Sequence, residues 1–454
     1  MKNPSSTRSI PAALAALGRP APWLRAFTYT LVAFSTFSIS GVELSLVLLY
    51  LFALWHWWRS SPRESLPLWV LAPFVAWLAV AVIAALVNPD PAANLAALRH
   101  QYRIFLPLAL LVSLREVEVP RLLRVFMVFV ALAAAYGVVQ YFWGVDWLRP
   151  AGQKPFSPYF QTRTGQLIFR ARANFSGPQG LATMTMMAGI LFLSLNASER
   201  GTRRFLWLGG AMAAMVGLLL TLGRSAWLGT GIGLAVLAFR LPMRWAVPTA
   251  IAILGVVFLL VEAVGSGWAQ QYLGGNGESA IIQRLTTEPA TDEASQIRLL
   301  LWQAALRGIA ANPVVGVGLG NQDRIIPFHV EVFGAGNPQS DLVGTRSVAH
   351  NMYLQAGIYL GLAGLMAFLG MWAAIFVWNG TWIVRAGEEF AFEKAVLWGT
   401  GAALVAAMVD GMFQDTFFSG IGNAHILMYM GLAVFAGNRI RLAWLRSGGV
   451  SPGD

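Results

Sequence analysis

Cysteine is absent from the 454 residues. Disulfides, thiolate nucleophiles and cysteine-held zinc or iron–sulfur centres are therefore excluded, and any catalysis must draw on other side chains. Charge is scarce too. Asp, Glu, Lys and Arg make up 12% of the chain, about half the share usual in soluble globular proteins, while 57% is hydrophobic and the mean hydropathy is +0.59. Four of the five histidines (His56, His100, His329, His425) stand at no metal-ligand spacing. Neither HExxH nor an Asp-x-Asp pair occurs in the outer segments, so no metal site and no cofactor are expected. There is no Gly-x-Ser-x-Gly elbow. The run Asn312 to Asn321, with Gly316, Gly318 and Gly320, lacks the lysine of a phosphate loop and the GxGxxG register. It reads as a turn.

What the chain has instead is a series of apolar runs separated by short loops rich in Arg, Gly and Pro, the pattern of an all-α polytopic membrane protein. The runs predict about twelve transmembrane helices, at 24–40, 42–58, 67–87, 104–114, 121–142, 177–197, 205–222, 226–239, 245–264, 351–379, 393–410 and 424–438. The basic N-terminal stretch resembles a signal-peptide n-region, but no small-residue cleavage site follows, so the first helix is expected to be retained with both termini cytoplasmic. The domains expected are 1–264 (nine spans), 265–350 (one large helical loop outside) and 351–454 (three spans and a tail). With this topology 19 of the 32 basic residues face the cytoplasm, in keeping with the positive-inside rule. The formal charge of +11 thus has a topological origin, and no nucleic-acid partner is expected.

Thirteen basic residues remain on the other side, eight of them in short loops where positive charge opposes insertion. Segment 143–176 is locally +4, with Arg163, Arg170 and Arg172 among its cations and Asp146 its one acid. Arginine forks suit phosphate or carboxylate oxygens, while the bland alternative is pairing with lipid headgroups or with acids of the other outer loop. Within 265–350 an amphipathic helix is legible from about Glu293 to Ala311, ended by Asn312-Pro313. Ile297, Leu301, Ala305 and Ile309 form its stripe, with Arg298 and Trp302 beside it.

Four further features point to chemistry. His350 and Asn351 precede a long span, where the helix dipole keeps an imidazole neutral and able to accept a proton; the alternative is a structural histidine. Gly357, Gly361 and Gly364 fall on one helical face, smooth enough to take a helix or a lipid chain. Arg224 sits in the tight hairpin Gly223-Arg224-Ser225-Ala-Trp227, held at interface depth either to snorkel or to clamp lipid phosphates. Asp410 and Asp415 lie at a span end where carboxylates are costly unless paired or functional, and either one suits orientation of His350 or a salt bridge between helices.

Several segments together resemble the O-antigen ligase and polymerase superfamily of bacterial inner-membrane glycosyltransferases. They are His350-Asn351 followed by Gly361-x-x-Gly364, Gly223-Arg224-Ser-Ala-Trp-Leu-Gly229, and Arg298-x-x-x-Trp302 with Asn312-Pro-Val-Val-Gly316-x-Gly318. The resemblance implies a GT-C-like helical fold that moves a glycan from undecaprenyl diphosphate to lipid A–core oligosaccharide at the periplasmic face of the inner membrane, without metal, cofactor or nucleotide sugar. It carries catalytic roles to His350, Arg224 and Arg298, and one family aspartate to Asp410 or Asp415. Arg163, Arg170, Arg172, Asn351 and the two aspartates are the expected substrate-binding set. Gly357, Gly361 and Gly364 are the expected face for the lipid tail. An O-antigen polymerase or protein O-oligosaccharyltransferase shares these parts. A transporter of anionic polyprenyl lipids differs from them in needing charges spread through the spans.

Overall fold

The computed structural model describes residues 19–60, 67–148, 160–161, 167–239, 293–320, 322–334 and 349–448. The first helices are α1 (Pro20–Phe34), α2 (Ile39–Ser60), α3 (Leu68–Val87), α4 (Pro91–Leu98), α5 (Leu106–Ser113), α6 (Val119–Trp143) and α7 (Pro178–Asn196). They are followed by α8 (Arg203–Leu220), α9 (Arg224–Ala238), α10 (Glu293–Ala311), α11 (Ile326–Phe333), α12 (Met352–Arg385), α13 (Ala391–Asp410) and α14 (Gly420–Arg446). Among the described residues eight helices, α2, α3, α6, α7, α8, α12, α13 and α14, are long and apolar enough to cross a membrane. The protein is a polytopic helical membrane protein. The span expected at 245–264 lies outside the described residues.

Two departures from the expected helices have local causes. The fourth expected span contains an α-helix of only eight residues, α5, about 12 Å long. Turns of 3-10 helix at Gln101–Phe105 and Leu114–Glu116 flank it. Their steeper rise of about 2 Å per residue stretches the whole run to roughly 28 Å. Burial against α14, where Gly431 admits Pro107 and Leu110, supports this otherwise weak segment. The second departure is a short antiparallel ribbon, β1 (Phe160–Gln161) with β2 (Leu167–Ile168), in a chain whose sequence predicts only helices.

At the centre stands α7, buried on every side and packed on α8 and α13. Against α13 also lies α9, and this contact fixes the functional end of the molecule. A Cβ on Gly229 would strike the Ala406 carbonyl, and one on Gly233 the Ala402 carbonyl, so two glycines four residues apart seat α9 directly on the α13 backbone. The helices run antiparallel. One turn beyond this seam, Ser225 at the start of α9 therefore comes opposite Asp410 at the end of α13.

The long helix α12 is broken. Gly361 adopts φ 65°, ψ −165°, separating Met352–Leu360 from Leu362–Arg385, and the second piece alone is roughly 36 Å long, enough to span a bilayer. The break is filled by the turn after α10. Val317 N donates to Ile358 O and Gly318 N to Tyr359 O, both at 2.9 Å, while Leu362 N donates to Pro313 O at 2.7 Å. Three backbone groups beside the break, the Ile358 and Tyr359 carbonyls and the Leu362 N–H, thus find partners in the turn. Such close approach needs glycine on both sides: Gly316, at φ 64°, lies against Tyr359 and Gly361, and a Cβ on Gly361 would meet the Val314 carbonyl. On its other flank the turn is held by α4, where Asn94 Oδ1 accepts from Gly320 N at 2.9 Å.

Charged groups collect at the two ends of the bundle. At the His350 end Arg103 pairs with Glu43, Arg172 with Asp146 at 2.7 Å and Arg307 with Glu331 at 2.5 Å, while Arg324 reaches Asn88 at 3.4 Å. Three of these arginines thus have an acid of the protein within reach, and Arg324 an amide oxygen, though none of these contacts is with an acid of the other outer loop. At the opposite end Arg439 pairs with Glu393 at 2.8 Å, and Arg124 stands 3.7 Å from Glu118.

Candidate active site

Asp410 closes α13 and is almost wholly buried. The Thr183 and Thr416 hydroxyls donate to its Oδ2 at 3.3 Å each, and Ser225, brought there by the α9 seam, adds a third hydroxyl. A buried carboxylate requires such partners. Arg298, on α10, lies close enough to act on it electrostatically. Five residues on, Asp415 precedes the 3-10 turn Thr416–Phe418, its backbone carbonyl accepting from Phe418 N at 2.8 Å, and its Oδ1 lies 3.9 Å from His350 Nδ1.

His350 is held by its neighbours on both sides. Its φ of 46° lies in the left-handed region, uncommon for a residue with a side chain. Ala349 N donates to Gln355 Oε1 at 2.7 Å, and Asn351 caps α12 by accepting from Tyr353 N and Leu354 N at 3.0 Å each. Met352 N then donates to Gly411 O at 2.8 Å, and Tyr353 Oη to Met408 O at 2.9 Å, tying the histidine to the end of α13. Burial lowers the imidazole from its ordinary value of 6.5, Asp415 works against that shift, and Arg298 adds to it. The ring is therefore neutral near pH 7. With Nδ1 turned toward Asp415, Nε2 is the nitrogen open to a substrate. At 3.9 Å the carboxylate is too distant for a hydrogen bond but close enough for electrostatic support.

The structure thus gathers His350, Arg298, Asp410 and Asp415, and gives the two aspartates separate places: Asp415 beside the histidine, Asp410 in the hydroxyl cage. Arg224 opens α9, half-buried, immediately before the caged Ser225. Its hairpin is closed by Leu222 at φ 53° and by Trp227 Nε1 donating to Leu218 O at 3.3 Å. Arg170 and Ala171 hold that hairpin from behind. Arg170 Nε donates to Thr221 O at 2.5 Å, and Ala171 N to Leu220 O at 3.0 Å. Arg172 is anchored by Asp146 and takes Gln140 Oε1 on its backbone N–H at 3.0 Å. Arg163 lies outside the described residues. Asn351 Oδ1 serves as a helix cap.

The glycine face is corrected by the structure. Gly357, Gly361 and Gly364 are buried: Gly357 faces Ile309 of α10, Gly361 the Pro313–Val314 turn and Gly364 the Leu360 side chain. At Gly357 and Gly361 the chain's own helix α10 and turn thus occupy the face, the helix alternative of the sequence reading rather than the lipid one. Sequence reasoning missed Thr183, Ser225, Thr416 and Gln355. Lone hydroxyls and amides in apolar helices form no pattern; the one available signal was Ser225 standing next to Arg224.

Residues 209–369, about a third of the chain, match the O-antigen ligase family. Over that segment the chain is similar to O-antigen ligases. This O-antigen ligase match contains Arg224, Arg298, His350 and the turn that fills the α12 break, while Asp410, Asp415 and Thr183 lie beyond its limits. No curated protein matches the chain.

Proposed function

We propose that the protein transfers an O-antigen glycan from undecaprenyl diphosphate to lipid A–core oligosaccharide at the periplasmic face of the bacterial inner membrane, with both termini cytoplasmic. The observation that carries this reading is the convergence of Arg298, His350, Asp415 and Asp410 at one end of the bundle, inside and beside the segment similar to O-antigen ligases. Glycosyl transfer from a lipid diphosphate asks for two things: cations where the leaving diphosphate gains charge, and a base where the acceptor hydroxyl loses its proton. Arg224 and Arg298 supply the cations, and their forks suit phosphate oxygens. Neutral His350 takes the proton from the acceptor hydroxyl as its oxygen attacks the anomeric carbon, and Asp415 stabilises the imidazolium that forms. A single displacement inverts that carbon. Asp410 holds Ser225, and so the start of α9, while Arg170 braces the hairpin that presents Arg224.

Among the described residues the ion pairs lie at the two ends of the bundle, and none traces a pathway through the spans, which favours an enzyme over a transporter. The test is transfer in vitro with purified protein, undecaprenyl-diphosphate glycan and lipid A–core, comparing wild type with His350→Ala. A larger lipopolysaccharide formed by wild type alone supports the ligase. Elongation of the lipid-linked glycan itself would move the assignment to a polymerase, and no product of either kind would remove both.

A further inference from the structure

Gln140 is wholly buried near the end of α6, in a helix long and apolar enough to span the membrane. An amide there is costly unless both its donor and its acceptor are answered. The backbone of residues 172 and 173 answers them. Gln140 Oε1 accepts from Arg172 N at 3.0 Å, and Nε2 donates to Ala173 O at 2.9 Å. The same Nε2 stands 3.4 Å from Asp146 Oδ1, and Asp146 Oδ2 accepts from Arg172 Nη2 at 2.7 Å. One side chain thus grips this strap by a backbone donor and a backbone acceptor together.

The strap has no regular structure of its own. Residues 169–172 are neither helix nor strand, and Ala173 follows at φ 47°, a left-handed conformation that a residue with a side chain keeps only where its surroundings fix it. On the far side of the strap lies the Arg224 hairpin. Arg170 Nε donates to Thr221 O at 2.5 Å and Ala171 N to Leu220 O at 3.0 Å. Only Leu222, itself at φ 53°, and Gly223 separate Thr221 from Arg224, the first residue of α9. A shift of the strap therefore reaches Arg224 within three residues. Ser225 is fixed from the other side by the Asp410 cage, so the direction of Arg224 depends on both supports.

We propose that Gln140 is a positioning residue for Arg224: it fixes the strap at Arg172 and Ala173, and the strap fixes the hairpin that aims the guanidinium. The proposal rests on the transfer reading above, in which Arg224 binds the diphosphate of the donor. Being wholly buried, Gln140 touches no substrate. Its effect runs through Arg224, so it falls on the donor and spares the acceptor.

The experiment measures binding of undecaprenyl-diphosphate glycan to the purified full chain, and in parallel the KM for that donor and for the lipid A–core acceptor. Gln140→Met keeps the length of the side chain and loses the amide. It should raise the donor Kd and KM about tenfold, the effect of misdirecting one charge-assisted hydrogen bond, and leave the acceptor KM as it is. In an Arg224→Ala background the same change should leave the donor Kd unmoved, because the group it aims is gone. Gln140→Asn, one methylene too short to reach both strap atoms, should raise the donor Kd about threefold, and it serves if Gln140→Met does not fold. An unchanged donor Kd in a variant that folds, an equal rise for donor and acceptor, or an equal loss with and without Arg224 overturns the positioning role. Donor binding that depends on Gln140 through Arg224, without transfer to either acceptor, would refute the transfer reading and keep the positioning role. Transfer without that dependence would do the reverse, and a wild type that neither binds nor transfers would overturn both.

Discussion

Asp415→Asn separates electrostatic support of His350 from mere packing. In the transfer reading the histidine must be neutral to accept a proton, so kcat/KM falls as pH drops through its pKa. Burial holds that pKa below 6.5, which puts the acidic limb of the wild-type profile below pH 6.5. Asp415 raises the imidazole pKa, so its removal moves the limb further down. A charge pair at 3.9 Å is worth about 4 kcal/mol at a protein-surface dielectric and about 1 kcal/mol in water. His350 is 42% exposed, so the lower figure applies. About 1 kcal/mol corresponds to roughly 0.7 pH unit. The same interaction stabilises the imidazolium formed in the transition state, so the plateau rate should fall about fivefold. The assay is initial transfer rate from pH 4.5 to 8.5 with saturating donor, wild type against Asp415→Asn. A fall in plateau with an unmoved limb would refute the electrostatic role of Asp415.

Arg224→Lys keeps the charge but loses the fork; transfer should fall at least tenfold with the protein still inserted, and an unchanged rate would remove bidentate phosphate binding. Gly361→Ala must hold a side chain at φ 65° against the Val314 carbonyl, so thermal unfolding in detergent should show a loss of about 2 kcal/mol or more, together with lost activity. Chelator treatment should leave the transfer rate as it is, and strong inhibition would place a metal in the mechanism.

Much of this architecture is legible in the chain because hydropathy and helix punctuation are local. The helix expected from Glu293 to Ala311 is found with those bounds, ended by Asn312-Pro313, and its stripe residues Leu301 and Ala305 are buried. The gathering of Arg298 with His350 follows from motifs far apart in sequence, which the resemblance joined and periodicity alone could not. The glycine face misled, because spacing assumes a continuous helix and nothing local announces that Gly361 leaves it. The division of labour between Asp410 and Asp415 was hidden for a related reason. It depends on the seam of Gly229 and Gly233 with Ala406 and Ala402, a tertiary register that brings Ser225 to one aspartate and leaves the other to the histidine.

The gap in α12 also bears on how the chain is built and how it can be exchanged. In biogenesis the segment before α12 emerges first, yet the Ile358 and Tyr359 carbonyls gain their partners only when the turn Asn312–Gly320 folds back onto them. Buried carbonyls without partners cost several kcal/mol each in an apolar setting. The turn and the helix piece Met352–Leu360 therefore mature as one unit, like two halves of a clasp. A chimera that swaps the segment between α9 and α12 for a relative's, to change the accepted substrate, should fold only if both halves travel together.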